Sequence, residues 1–396
     1  MRQFNETLWQ LSTAKTKERV MRLPYNIGIV GFICILMISL SCSNAPTETD
    51  SSWMPPQTPW GEPDLQGVWR HESTTPLQRP TNLEGRDSLT DDEVLSEQRI
   101  ETEQVAKGVE GSDEVRPDVE ASPFQRNEYN RFWTYTGNPK TVDARTSLIV
   151  DPPSGRIPLT PQALKVQAFH AEYVSNFPPE EHYDNSWRDR DTGERCITDG
   201  TLGQMWGGTG PNKFVQSPGY VVILHEQFRD RRIIPTDGRE PSEVRTWLGN
   251  ASGRWEENTL VVETTRFLDK TSESWQSVSK SASESMHLVE RWTRIGPDQM
   301  QYQVTVTDPS KFTQPWSAEL TLTNLETPDE PLVFFEYACA EGNYGIVNIL
   351  SATRNLEKAD PSLKNRRTNF ALWLENNPGE PSLESLGPPA LRSGTP

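Results

Sequence analysis

From Cys196 onward, apolar and polar positions exchange places almost residue by residue, in short runs closed by turn signals. That period of two predicts antiparallel β-strands. The runs are "YVVILHEQ", "RDRRIIP", "GRWEENTLVVETTRF", "MHLVERWTRIGPDQMQYQVTVTD", "WSAELTLTN" and "LVFFEYA". Turns are expected at Glu257-Asn258 and at Gly296-Pro297-Asp298. Strands at such short, regular intervals predict a mainly β protein, an antiparallel meander closing into a barrel or a strongly curved sheet. The first half reads differently. "LTDDEVLSEQRIETEQ" is helical, with Thr90 as N-cap and acidic residues in the first turn. "TSLIV" is a short strand ahead of an Asp-Pro-Pro turn. Thr160-Pro161 then opens a helix with Val166, Phe169, Tyr173 and Phe177 on one stripe. The predicted organisation is a single β-rich domain over 65–360 with an irregular, partly helical N-terminal layer. A helix, "IVNILSATRNLEKA", ends it, and 361–396 form a peripheral tail.

Strand alternation sorts side chains onto two faces. Leu288, Glu290, Trp292 and Arg294 share one face; His287, Val289, Arg291 and Thr293 share the other. Glu319, Thr321 and Thr323 oppose Ala318, Leu320 and Leu322. Two readings follow. Either the polar faces are solvated over an apolar core, or they line a lumen that holds a ligand.

The amino terminus reads as an address. "NIGIVGFICILMISLSC" is too short for a comfortable membrane span and suits the apolar region of a signal peptide. "SLSC" resembles a bacterial lipobox, which makes residues 1–41 the leader and Cys42 the lipidated first residue of the mature chain. Met21 opens a more conventional signal than Met1 does. Residues 42–64 are Pro-rich and polar, the composition of a tether. The expected destination is the periplasm or the outer membrane, with a lipid anchor as the sole membrane attachment. Cys34 and Cys42 belong to this segment, so Cys196 and Cys339 remain for the body. In an oxidising compartment they most simply form a disulfide.

The formal net charge is −17. The leader's five basic and two acidic side chains contribute +3, so the body alone stands at −20. A chain this acidic repels phosphate backbones, which argues against nucleic-acid binding. Hydrophobic content is 34%, low for a compact enzyme, but 13 Trp and 13 Phe supply apolar area for a core.

"PDLQGVW", "TSLIVDPPSGRIP", "GRWEENTLVVETTRF", "VERWTRI", "PWSAEL" and "EYACAEGNYGIVNILSATR" together resemble, in this order, a large family of exported bacterial proteins. The resemblance covers nearly the whole mature chain. It implies location and architecture and brings no reaction with it. Gly67-Val68-Trp69 ahead of a meander also resembles the opening of a lipocalin-type barrel, so the expected sheet is calycin-like.

Catalytic motifs are sparse. There is no G-x-S-x-G elbow, P-loop or G-x-G-x-x-G after a strand, and no His or Cys spacing for zinc, so neither cofactor nor metal is expected. "DRDTGE" places Asp189, Asp191 and Gly193 in a calcium-like order, but the twelfth position of such a loop is Gly200, where a Glu is needed. His225 and His287 are candidate general bases. A Cys196–Cys339 bond would bring "RCITDGTLGQMWGGTG" beside "CAEGNYG". Glu341 and Tyr344 then become candidates for proton transfer, and Gln204, Trp206, Asn343 and Arg291 for ligand contacts. The plainer reading makes "CAEGNYG" a strand-to-helix turn with Asn343 as the cap. Two functions follow: a lipoprotein binding a small molecule or glycan fragment, or a periplasmic lyase, isomerase or hydrolase using Glu341 with His225 or His287.

Overall fold

The computed structural model describes residues 53–110, 142–176, 184, 186–206, 210–270, 281–326, 335–365, 369–376 and 378. All lie in one compact unit beginning at Thr49. The leader and Cys42 lie outside the described residues, as does Phe177 of the predicted stripe.

Most of the alternating runs form strands where the pattern predicts them, and Asn212–Ser217 adds one outside the predicted runs. They are β1 (Gly67–His71), β2 (Ile149–Asp151), β3 (Asn212–Ser217), β4 (Tyr220–His225), β5 (Arg231–Pro235), β6 (Asn250–Glu256), β7 (Thr259–Thr265), β8 (His287–Arg294), β9 (Gln299–Thr307) and β10 (Trp316–Asn324). Nine of them make one antiparallel sheet in the order β5-β4-β3-β1-β10-β9-β8-β7-β6, and β2 pairs separately with β10. β1 is taken from the far end of the sequence and inserted between β3 and β10. The helices are α1 (Asp91–Glu110), α2 (Pro161–Asn176), α3 (Gly200–Trp206), α4 (Gly345–Ala359) and α5 (Asn369–Asn376). None of the described helices is long and apolar enough to cross a membrane.

Helix starts follow local chemistry. The Thr90 hydroxyl accepts from the Glu93 amide while Glu93 accepts from the Thr90 amide, a reciprocal cap for α1. Thr160 caps α2 through the Ala163 amide. "LVFFEYA" departs from its pattern: Phe335–Ala338 forms no regular structure and does not pair into the sheet. Its backbone instead meets a side chain, since the Phe335 amide donates to Glu226. Residues 53–64 also differ from a free tether. They fold into a strap, with Gln57 bridging Pro63 and Thr58 bonded to Glu62. Gln216 fastens the strap to β3 by accepting from the Leu65 amide and donating to the Pro63 carbonyl. The expected tail contains α5, whose Phe370 and Trp373 pack on Phe169 of α2.

The sheet is nearly closed into a calycin-like barrel, and the face question resolves by burial. Trp69, Leu260, Leu288, Trp292, Tyr302, Leu320 and Leu322 point inward and leave no surface that water can touch. Phe214 reaches across to Trp292 at 5.0 Å, and Trp292 lies 4.1 Å from Tyr302. The polar faces carrying His287, Arg291, Glu263, Glu319 and Thr321 are outside. The inner wall is a packed core, so the polar-lumen reading is corrected to one buried cluster.

That cluster ties the seam. β5 and β6 end the hydrogen-bonded order and meet without pairing. Arg232 of β5 spans the gap, donating to Glu290 of β8 at 2.9 Å and to Thr264 of β7 at 3.1 Å. Its second nitrogen also contacts Glu290, whose other side accepts from the Tyr302 hydroxyl at 3.0 Å. Burial opposes the Arg232 charge, but Glu290 beside it raises the pKa overall. Burial, with Glu290 adding, holds the Tyr302 phenol well above its ordinary value, so it stays a donor. The strands also need Gly253 at the seam. A Cβ there would sit 2.8 Å from the Ile234 side chain and 3.2 Å from that of Thr236.

Candidate functional site

The two barrel ends differ. At one, tight turns join β3 to β4, β6 to β7 and β8 to β9, and the strap lies beside them. At the other, long connections gather around α3, whose Leu202 and Met205 join the barrel core as a stopper. The candidate site is built here.

Cys196 and Cys339 are bonded, with Cα atoms 5.4 Å apart. The bridge fastens the segment leading to α4 against the loop before α3. Asn343 strengthens the junction: its amide nitrogen donates to the Glu194 carbonyl and lies 2.8 Å from Cys196 Sγ, while its oxygen accepts from the Gly345 amide. "CAEGNYG" is therefore first a disulfide-held turn; the N-cap of α4 is Tyr344 rather than Asn343, which stands one residue before it and bonds the Gly345 amide.

The β4–β5 connection closes against this segment under backbone strain. Phe228 and Arg229 have φ of 56° and 51°, the left-handed region that costs a side chain of this size about 1 kcal/mol or more. Tertiary contacts hold them there. The Phe228 ring packs edge-on to Tyr337 at 5.1 Å, and Arg229 pairs with Glu336.

Asp230 follows. One of its oxygens, Oδ2, accepts from both Thr198 Oγ1 at 2.5 Å and Gln204 Nε2 at 2.7 Å. Burial pushes the carboxyl up to about 6; the two hydrogen bonds pull the other way, and the Asp199 charge adds to the rise. The Tyr337 phenol is raised by burial and then by the same Asp199. Asp199 and Asp191 oxygens both crowd Gly193, 3.3 Å from where a Cβ would stand, with the Phe228 ring at 3.6 Å. Beside them the Arg195 guanidinium lies 4.9 Å from the Trp187 ring and 5.6 Å from Trp247, held by the Asp191 and Lys270 carbonyls. Three carboxyls, an amide, a phenol and three further aromatic rings thus occupy one end of the barrel. Such a set brings aromatic rings, a guanidinium held against two of them, and groups that both donate and accept to one end of the barrel.

Of the residues chosen from sequence, Gln204, Asn343 and the two cysteines meet here. Trp206 closes α3, and its side chain is outside the described residues. Glu341 and Tyr344 stand in the exposed turn. His225 is buried on the inner side of β4 with Nδ1 3.2 Å from Asn212; burial lowers its pKa to about 4, so it is neutral. His287 is on the outer wall, 3.5 Å from Glu263, and Arg291 is there too, donating to Glu256. Neither histidine contacts Glu341 among the described residues, so these three do not assemble as an acid/base pair. The calcium-like residues serve as turn acceptors, Asp189 for the Ser186 amide and Asp191 for the Glu194 amide. No group of three or more metal-ligating side chains occurs among the described residues.

Sequence reasoning passed over Asp230, Asp199, Thr198, Phe228 and Tyr337. Thr198-Asp199-Gly200 before a helix, in a chain whose Cys196 is bridged, was the available signal. No protein-family model matches the chain, and no curated protein or solved structure is similar to it.

Proposed function

We propose that the protein is an exported, lipid-anchored binding protein that takes a small polar molecule or glycan fragment at the disulfide-held end of its barrel. The carrying observation is that Asp230 with Gln204, Tyr337 with Phe228, and Arg195 with the Trp187 and Trp247 rings all lie at the loop end, while the inner wall is filled. Sugars present alternating hydroxyl edges and apolar faces, which this mixture complements. Export is supported by the lipobox-like "SLSC" and by a disulfide as the pairing of the two body cysteines.

Calorimetric titration of the full chain with neutral and acidic oligosaccharides of two to six sugars tests the reading. Saturable binding weakened about fivefold or more by Trp187→Ala, the loss of one stacking partner, supports it. Binding indifferent to both Trp187→Ala and Asp230→Ala removes the site, and no binding across the panel removes the reading. A second reading, acid/base catalysis, is favoured by the Asp230 carboxyl, which is half protonated near pH 6 and would take the part first assigned to Glu341. Turnover of a bound oligosaccharide, lost in Asp230→Asn, separates the two.

A further inference from the structure

A different cluster lies where the β9–β10 connection meets the segment leading into β8. Asp308, Ser310 and Lys311 come from the first; Ser281, Ser283 and Ser285 from the second. Asp308 Oδ1 accepts from Ser283 Oγ at 2.8 Å, Ser285 Oγ at 3.1 Å and Ser310 Oγ at 2.6 Å, and from the Ser310 amide. Its other oxygen is buried without a hydrogen-bond partner among the described residues.

Lys311 is the anomaly. Its amine does not take that waiting carboxylate oxygen, and it forms no ion pair among the described residues. It reaches instead to Ser281, with Nζ 2.5 Å from Oγ. A lysine serving only the fold would be expected to meet the carboxylate beside it, yet this part-exposed one is set on a serine hydroxyl. The Lys311 ammonium donates to Ser281 Oγ, and once it has lost its proton the same amine stands in position to accept the hydroxyl proton. Burial lowers the Lys311 pKa to about 8, even with Asp308 and Asp269 acting to raise it. About a tenth of the amine is then free base at pH 7.

We propose that Ser281 and Lys311 form a serine–lysine nucleophilic pair that cleaves an acyl ester. As Oγ bonds to the ester carbonyl carbon, its proton moves to Lys311 Nζ. The bond to the leaving alkoxide breaks, and Lys311 returns the proton to it, releasing an alcohol. Water attacks the acyl-serine in the same way: Lys311 takes its proton, the carboxylic acid leaves, and Ser281 Oγ regains a proton. No metal or oxidant enters this balance. Ser281 is buried but lies beside part-exposed Lys311, so the pair sits just under the surface.

The experiment uses full-length protein with a fluorophosphonate probe, read by intact and peptide mass, and with p-nitrophenyl butyrate. The expected result is a single adduct on Ser281. Its rate rises with pH through about 8, as Lys311 loses its proton. Ser281→Ala removes the adduct, and Lys311→Met slows labelling about 100-fold or more, the usual worth of a general base. Lys311→Arg preserves the cation and the donor but not the base. It should keep the melting temperature and still lose labelling, which separates catalysis from folding. No adduct at Ser281, or labelling of Lys311→Arg at the parent rate, overturns the proposal.

Discussion

The barrel interior and its disulfide-held end solve opposite problems with similar polar residues. Inside, Arg232, Glu290, Tyr302 and Thr264 bond to one another across the seam that backbone pairing leaves open, with Arg232 Nε left without a partner among the described residues. At the loop end, polar groups are held less completely. Asp230 has both its donors on one oxygen, and Cys196, Phe228, Arg229 and Arg266 all adopt left-handed backbone. A densely bonded buried network helps to fix one structure. Strained backbone and perturbed carboxyls are tolerated where tertiary contacts impose them, and they concentrate where function sits.

The sharpest break comes from the interior. Glu290→Ala leaves Arg232 charged and buried with no carboxylate, which should cost about 3–5 kcal/mol in chemical denaturation. The double variant Arg232→Met/Glu290→Leu should recover most of that, because it removes both charges. A double variant as unstable as the single one would mean that the seam needs the ion pair itself. Next in size is Gly253→Val. Side chains would be driven into Ile234 and Thr236, and a loss of about 1–3 kcal/mol is expected from overpacking.

The third test probes the other region. The Cys196–Cys339 bridge spans 143 residues, worth about 5 kcal/mol by loop-closure entropy if both cysteines belonged to one cooperative unit. α4 is largely exposed, so Cys339→Ser should release residues 335–359 locally. Hydrogen exchange should then quicken there while protection in β7–β10 stays near the parent value. Loss of protection throughout the barrel would erase the distinction between the regions.

The smallest effect is a slope. His225 has its pKa lowered from 6.5 to about 4 by burial, so the unfolded chain takes up that proton first and stability falls as pH drops from 6.5 toward 4. Asp230 is raised from 3.8 to about 6, so the folded chain is protonated first. Its contribution is present at low pH and is lost as pH rises through 6. The two oppose each other between pH 4 and 6. Asp230→Asn removes one side, so its stability should fall more steeply on acidification from pH 6.5 to 4. Parallel curves for parent and variant would show that Asp230 titrates normally.

Much of the barrel was legible from the chain because alternation is a local property. β4 through β10 and the turns at Glu257-Asn258 and Gly296-Pro297-Asp298 follow from which residues are apolar and which permit a reversal. The caps of α1 and α2 lie within three residues of the groups they satisfy. "LVFFEYA" shows the limit of that rule. It has the composition of a strand, yet its described part, Phe335–Ala338, does not pair into the sheet, because β1 from the start of the fold occupies the place beside β10.

What the sequence by itself determined was the period of the strands, the two faces of each, the turns, the helix caps and the two cysteines left for one bridge. Which face looked inward, and hence that His287 and Arg291 stand outside while Glu290 is buried, was decided by closure of the sheet. So were the juxtapositions of Asp230 with Thr198 and Gln204, of Arg232 with Glu290, and of Lys311 with Ser281. Each joins residues 26 to 58 positions apart. Periodicity acts over a few residues and fixes local structure. Hydrogen bonds, charge pairing and pKa depend on neighbours in space, which the chain acquires only when the barrel closes.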